Sequence, residues 1–231
     1  MKSDKNNNNN NNEKLLSRKY TKKEEIFNGI SHGIGVAFGV VALILLLIVA
    51  ITKKDVPSIV AFSIYGACII LMYLSSTLYH SISLEKAKRV LRVFDHSSIF
   101  LFIAGTYTPI ALLALEGALR LVILIGVWVI AIGGVIFKIA TYNKFDKYKI
   151  LSVLIYIGMG WIAVFPIKAI INATSMNFFY WILAGGILYT VGTLFYGNKK
   201  IPYNHGIWHL FVLAASITHF LGIFKYLALA I

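Results

Sequence analysis

The chain has 231 residues, of which 58% are hydrophobic and only 13% are charged. Charged residues make up about a quarter of an average soluble domain, so the composition excludes an ordinary soluble domain and favours a membrane protein. The formal net charge is +13, which in a soluble chain would suggest nucleic acid. No nucleic-acid partner is expected, because the sequence lacks a solvated basic face with interleaved aromatic residues.

Long apolar segments follow one another along the chain, each near the roughly 20 residues that a spanning helix needs. They comprise residues 27–51, 57–80, 96–115, 118–140, 150–170, 177–197 and 205–228. The sequence therefore predicts an all-α, polytopic membrane protein with a seven-helix transmembrane domain over residues 27–231. Residues 1–26 are polar and contain an unbroken Asn run, so they are predicted to be a disordered tail.

Positive charges are distributed unequally between the two sides of such a bundle. If the segments alternate in direction, the N-terminus and every second loop carry 17 of the 22 Lys and Arg residues. The other side carries only Lys53, Lys54, Arg120, Lys168 and Lys225. The positive-inside rule then predicts a cytoplasmic N-terminal tail and an extracytoplasmic C-terminus. The first helix is expected to be an uncleaved anchor.

This topology brings four polar residues to the cytoplasmic level of the membrane. His80 ends the second segment, Asp95 precedes the third, and His205 and His209 lie one helical turn apart at the start of the seventh. Residues four apart share a helix face. Three imidazoles and a carboxylate at one depth are the ligand set of a zinc site with an open coordination position. The sequence therefore predicts Zn²⁺ as a cofactor.

Other polar residues lie near this level. Glu25, Asn28 and His32 share one face of the first helix, either as an ordinary polar stripe at a helix start or as a network that orients the metal ligands. His96 follows Asp95 and points about 100° away, so a supporting or interfacial role is expected. His219 lies ten residues beyond His209, about 15 Å along a helix. It is therefore expected to form an interhelical hydrogen bond instead.

Four stretches of the sequence resemble motifs of the hemolysin III family, the bacterial branch of the progestin and adipoQ receptors, which include the adiponectin receptors. They are EEIFNGISHGIG at 24–35, SSTLYHS at 75–81, FDHSSIFLFIAGTYTP at 94–109 and NHGIWHLFVLAAS at 204–216. The resemblance spans residues 24–228 and covers all of the chain except its Asn-rich tail. It implies a multi-pass protein of the bacterial plasma membrane.

The resemblance also implies particular roles for residues of these motifs. Ser76 to His80 matches the family's Ser-x-x-x-His motif, and His205 to His209 matches its His-x-x-x-His motif. The histidines of these motifs hold a zinc ion, and the family's aspartate, which matches Asp95, reaches the zinc through a water molecule. The wider superfamily is similar to alkaline ceramidases, which implies hydrolysis of lipid amides.

Two functions remain open at this point. In the first, the protein is a zinc-dependent hydrolase of lipid amides or esters, Asp95 is the general base and Ser76 donates a hydrogen bond to the developing oxyanion. In the second, a structural zinc ion joins the helices of a membrane sensor, a receptor-like protein or a cytolytic hemolysin. Both functions imply contact with membrane lipids, and no sequence pattern indicates an oligomeric state. The fourth zinc position would be open in the enzyme and closed by protein in the structural site.

Overall fold

The computed structural model describes residues 20–144 and 147–230, and the predicted disordered tail falls mostly outside these ranges. The helices are α1 (Lys22–Thr52), α2 (Val56–Ser81), α3 (Glu85–Ala114), α4 (Gly117–Ala140), α5 (Lys149–Gly160), α6 (Ile167–Ala173), α7 (Met176–Gly197) and α8 (Asn204–Ile223). No strand occurs in the described ranges, which confirms the all-α prediction. Six of these helices are long and apolar enough to cross a membrane, and α5 with α6 could form a seventh span.

The first helix begins at Lys22, five residues before the predicted start at residue 27. Thr21 precedes it, and its side chain accepts a hydrogen bond from the backbone N–H of Glu24. The Glu24 carboxylate in turn accepts from the backbone N–H of Thr21 at 2.8 Å. This reciprocal capping satisfies two N–H groups that a helix start leaves open. Residues 22–26 are therefore helical, and Glu25 lies in the first turn of α1.

The third helix also begins earlier than predicted. Only the segment Ile82–Leu84 separates α2 from α3, although the sequence had suggested a connection as long as residues 81–95. The basic residues of this predicted loop lie in the first turns of α3. Asp95 is therefore nearly three turns inside the helix rather than at its start.

The fifth predicted segment is broken. Helix α5 ends at Gly160 and continues as a 3₁₀ helix over Trp161–Val164. Helix α6 begins after Pro166, and its axis is bent by 52° from that of the preceding segment. A proline cannot donate a backbone hydrogen bond, so such a break leaves backbone groups without helical partners. The hydroxyl of Tyr107 on α3 donates to the Gly160 carbonyl and accepts from the Ala163 N–H, both at 2.7 Å. This side chain supplies hydrogen bonds that apolar surroundings cannot.

Several close contacts between helices require glycine, and two of them involve α1. Helix α1 packs along both α2 and α8. A Cβ atom on Gly35 of α1 would lie 2.2 Å from the Tyr73 ring of α2, and one on Gly206 of α8 would lie 2.2 Å from the Phe27 ring of α1. The second contact joins the start of α8 to the start of α1, and a Cβ atom on Gly29 of α1 would lie 3.3 Å from Ser81 Oγ at the end of α2. The start of α1, the end of α2 and the start of α8 therefore meet. We call this end of the bundle the His80 end.

Candidate metal centre

Three histidines converge at the His80 end. His80 lies in the last turn of α2, and His205 and His209 lie in the first two turns of α8. All three are buried, and one ring nitrogen of each lies within 4.8 Å of those of the other two. The Nε2 atoms of His80 and His205 are 3.2 Å apart. Within the described residues, these three side chains could hold a metal ion.

The His80 ring is oriented by a carboxylate on α1. Its Nδ1 atom lies 2.6 Å from Oε2 of Glu25, and the other Glu25 oxygen accepts from Lys88 Nζ, also at 2.6 Å. A proton on Nδ1 satisfies the carboxylate and leaves the Nε2 lone pair directed toward His205. Histidines that ligate metals commonly donate their second N–H to a carboxylate in this way, which fixes the tautomer and the ring orientation.

The His209 ring is oriented by backbone and hydroxyl groups of α1. Its Nδ1 atom lies 3.1 Å from Ser31 Oγ and 3.3 Å from the Asn28 carbonyl oxygen. Because the Ser31 hydroxyl donates its own proton to the Asn28 carbonyl, the proton between Ser31 and His209 belongs to Nδ1. The Nε2 atom of His209 is then an acceptor, and it is buried without a protein partner. A metal ion would satisfy this atom, so the residues present fit the predicted group.

Aromatic rings surround His205. The ring centroids of Tyr20, Trp208 and Tyr196 lie 5.0, 5.1 and 5.5 Å from that of His205. Tyr20 precedes α1, and its ring is also 6.0 Å from that of His80. Three aromatic rings therefore pack against His205, and the Trp208 ring also lines the cavity inside the bundle.

Asp95 and Ser76 are both buried in the bundle, at 6% and 0% exposure. Asp95 is not one of the three side chains whose ligand atoms cluster within 4.8 Å. The Ser76 hydroxyl is close enough to the Asp95 carboxylate to interact with it electrostatically, but no partner lies within hydrogen-bond distance. Asp95 thus stands beside the histidine cluster with a hydroxyl group near it.

A mostly apolar cavity of about 130 Å³ extends from Asp95 through the bundle. Residues of α1, α2, α3, α5, α7 and α8 line it. Of its lining residues, His32 stacks on His209 and Asp95 interacts with His80, whereas His219 lies about 15 Å farther along α8 than His209. An apolar cavity with a few polar groups at one end is typical of a site for a small apolar or amphipathic ligand.

The remaining histidines are not part of the cluster of three. His32 lies beside it, with its ring stacked on His209 at a centroid distance of 3.5 Å. His96 is buried on α3, and its backbone carbonyl accepts from the hydroxyl of Tyr156. Nε2 of His219 lies 3.0 Å from the Ile182 carbonyl of α7, which confirms the expected interhelical hydrogen bond.

Several residues of this region, among them Ser31, Lys88 and Tyr20, were not identified from the sequence. Ser31 lies three residues after Asn28, a spacing that could have placed it on the same face. Lys88 was counted only as one of the basic residues that set the topology, and Tyr20 was assigned to the disordered tail. Each contacts the histidine cluster or Glu25 in the structure. Charge and hydropathy alone gave no sign of these contacts.

Comparison with known proteins agrees with the architecture. Residues 20–220 match the family described as haemolysin-III related. The chain is 45% identical over 207 residues to the hemolysin-3 homolog of Bacillus subtilis (strain 168), covering 90% of this chain and 96% of that protein. It is 46% identical over 204 residues to hemolysin-3 of Bacillus cereus, covering 88% and 92%.

A more distant similarity extends to animals. The chain is 30% identical over 170 residues to the human monocyte to macrophage differentiation factor, covering 71% of this chain and 69% of that protein. The matched region of the family includes the first turn of α1, the end of α2, Asp95 and the start of α8. The chain therefore belongs to the haemolysin-III-related family of membrane proteins.

Proposed function

We propose that this chain is a zinc protein of the bacterial plasma membrane, with its N-terminus in the cytoplasm, and that it hydrolyses lipid amides or esters. His80, His205 and His209 would hold the zinc ion. Three imidazoles are a common ligand set for catalytic zinc. The unpartnered Nε2 atom of His209 and the Glu25 carboxylate on His80 support this assignment.

The observation that carries the hydrolase function is the position of Asp95. This carboxylate lines the apolar cavity and lies close enough to His80 to interact with it electrostatically. A lipid with its acyl chain in the cavity would present its polar group to Asp95, Ser76 and the histidine cluster together. A purely structural zinc site would not require a buried carboxylate on an adjoining cavity, since burying a charged group is costly.

The protein groups have separate roles in the proposed reaction. Bound zinc supplies Lewis-acid chemistry and makes a neighbouring water more acidic. Asp95 accepts the proton of the attacking water, whose oxygen bonds to the carbonyl carbon of the lipid. The Ser76 hydroxyl donates a hydrogen bond to the carbonyl oxygen as negative charge develops on it. The bond to the amine or alkoxide then breaks, and the leaving group takes the proton from Asp95.

Release of fatty acid by the purified protein tests this proposal. The protein would be supplied with a ceramide-like amide and with a phospholipid ester, in zinc-loaded, chelator-stripped and reloaded forms. We expect fatty acid from at least one lipid, loss of activity on stripping and recovery on reloading. A fully zinc-loaded protein that releases no fatty acid from either lipid would exclude the hydrolase function for these classes.

A second candidate is a structural zinc ion in a membrane sensor or a cytolytic protein. The aromatic rings of Tyr20 and Tyr196 favour it, because they pack against His205 and leave less room for a ligand beside that imidazole. The name of the Bacillus cereus relative suggests membrane damage. In this case zinc removal should lower the unfolding temperature, and the loaded protein should release dye from liposomes or respond to their lipid composition without hydrolysing them.

A further inference from the structure

One buried imidazole near the histidine cluster has no hydrogen bond to the protein. His32 on α1 is 2% exposed, stacks on His209 and meets the Tyr73 ring edge-on at a centroid distance of 5.0 Å. Neither of its ring nitrogens has a partner. Buried polar atoms are nearly always hydrogen-bonded, so an imidazole with two unsatisfied nitrogens requires an explanation.

Three other histidines of the cluster and the cavity do have partners. His80 has Glu25 on Nδ1, His209 has Ser31 on Nδ1, and His219 has the Ile182 carbonyl on Nε2. His32 also lines the apolar cavity at the end where Asp95 lies. The unsatisfied ring thus borders the space where the polar group of a bound lipid would lie.

We propose that His32 is a specificity residue that binds the polar head of the cavity ligand and selects ligands that carry a hydrogen-bond donor. The inference rests on the proposed function in assuming that a lipid occupies the cavity. It decides between the amides and esters that the proposed function leaves open.

The chemistry of imidazole determines which ligands satisfy it. An unpaired charge would be costly at this depth, so the ring is neutral and carries one N–H and one lone pair. Its two nitrogens flank Cε1 and their N–H and lone-pair directions diverge, so one small group does not satisfy both. The N–H can be satisfied by any carbonyl, whereas the lone pair needs an N–H or O–H group. A simple ester offers no such donor, a secondary amide offers one, and a hydroxylated amide offers two.

Three probes with the same acyl chain separate these cases: N-palmitoylethanolamine, N-ethylpalmitamide and ethyl palmitate. Binding to zinc-loaded protein in detergent would be measured by competition with a labelled fatty amide, using the Asp95→Asn protein so that no probe is consumed. We expect the hydroxylated amide to bind most tightly and the ester most weakly, with about tenfold in Kd between them, as expected for an unsatisfied buried acceptor.

Substitution of His32 should remove this ranking. His32→Phe keeps a ring to stack on His209 but has no polar atom, so the three probes should then bind with similar affinity. Thr193→Val is the matched control, because Thr193 lines the same cavity and its hydroxyl already donates to the Thr190 carbonyl. The control should keep the ranking. An unchanged ranking in His32→Phe, or equal binding of all probes to the parent protein, would overturn the proposal.

A spectroscopic measurement keeps the test independent of whether His32→Phe folds. In protein labelled with ¹⁵N-histidine, the NMR chemical shift of the His32 nitrogen that carries the lone pair should change on addition of N-palmitoylethanolamine. It should not change on addition of ethyl palmitate. Identical responses to both probes would contradict the proposal. If the ranking holds while the wild-type protein hydrolyses no lipid, the role of His32 stands and the hydrolase function fails. If lipids are hydrolysed but the ranking is absent, the hydrolase function stands and the role of His32 fails.

Discussion

The Nδ1 atom of His80 lies 2.6 Å from a carboxylate oxygen of Glu25, which joins the end of α2 to the first turn of α1. Lys88 of α3 holds the other oxygen of the same carboxylate. Three helices are thus connected through one side chain that contacts a candidate metal ligand. The arrangement fixes the tautomer of His80 and leads to the first prediction.

Replacing Glu25 by Gln should weaken metal binding. The amide keeps the size of the side chain but removes the charge that holds the Nδ1 proton, so we expect zinc affinity to fall by ~10–100-fold. Competition with a chelator of known affinity measures this change. Glu85→Gln, at an exposed position in the first turn of α3, is the control and should leave the affinity unchanged. Equal affinities in both variants would contradict an orienting role for Glu25.

The purified protein should contain about one zinc ion per chain, and His205→Ala or His209→Ala should lose most of it. Removing one of three imidazoles leaves too few protein ligands for a stable zinc site. His219→Ala should retain its zinc, because the His219 ring contacts the Ile182 carbonyl of α7 instead. Elemental analysis of the purified variants provides the measurement. Full occupancy in a His205/His209 double variant would exclude this site.

Asp95→Asn should separate catalysis from metal binding. The substitution keeps the size of the side chain and one acceptor oxygen but removes its basicity. We expect zinc content near that of the wild type and a ~10²–10⁴-fold loss of any lipid hydrolysis, as for removal of a general base. Rates and zinc content are measured on the same preparation. Loss of zinc together with unfolding would make Asp95 a structural ligand, and retention of full activity would remove it from the mechanism.

A reporter fused after residue 231 should be extracytoplasmic. The distribution of basic residues predicts this side, and the result depends on whether α5 and α6 together cross the membrane. The bend of 52° between them is compatible with a broken span or with a re-entrant loop. Paired reporters that are active only inside or only outside the cell decide between these cases. A cytoplasmic signal would mean an even number of spans.

Gly206→Ala should disturb the contact between α1 and α8. The added Cβ would lie 2.2 Å from the Phe27 ring and 2.9 Å from Oδ1 of Asn28. We expect a loss of ~1–3 kcal/mol in the free energy of unfolding, as for other overpacked positions, with weaker zinc binding. Gly126→Ala in α4 is the control, because its Cβ would meet no atom within 4 Å. Thermal unfolding in detergent compares the two, and equal stability would contradict the close contact.

The sequence predicted the spans well because hydropathy measures directly what a bilayer requires. It placed the helix starts too late at α1 and α3, since both helices continue through polar residues outside the apolar segments. Thr21 and Glu24 carried a recognisable signal for the first of these starts. The start of α3 had no such signal, because Leu84 precedes it without a side-chain hydrogen bond.

The sequence predicted the level of the candidate site residues in the membrane, but not the side-chain contacts around them. Alternating spans and unequal charge were enough to bring His80, His205 and His209 to one level. Which neighbours contact their other ring nitrogens depends on how the helices are rotated and packed, which hydropathy does not encode. Ser31 on His209 and Tyr20 on His205 therefore emerged only from the structure.

His80 and His205 are separated by 125 positions in the chain, and this separation sets the time at which the site can exist. A nascent chain that ends before residue 205 contains one of the three imidazoles, whatever its earlier helices have done. The other two arrive with α8, and His209 contacts Ser31 and the Asn28 carbonyl only when that helix packs against α1. Loading of the proposed metal would therefore follow the synthesis of α8, and a bound ion would mark a chain in which α8 has been inserted beside α1.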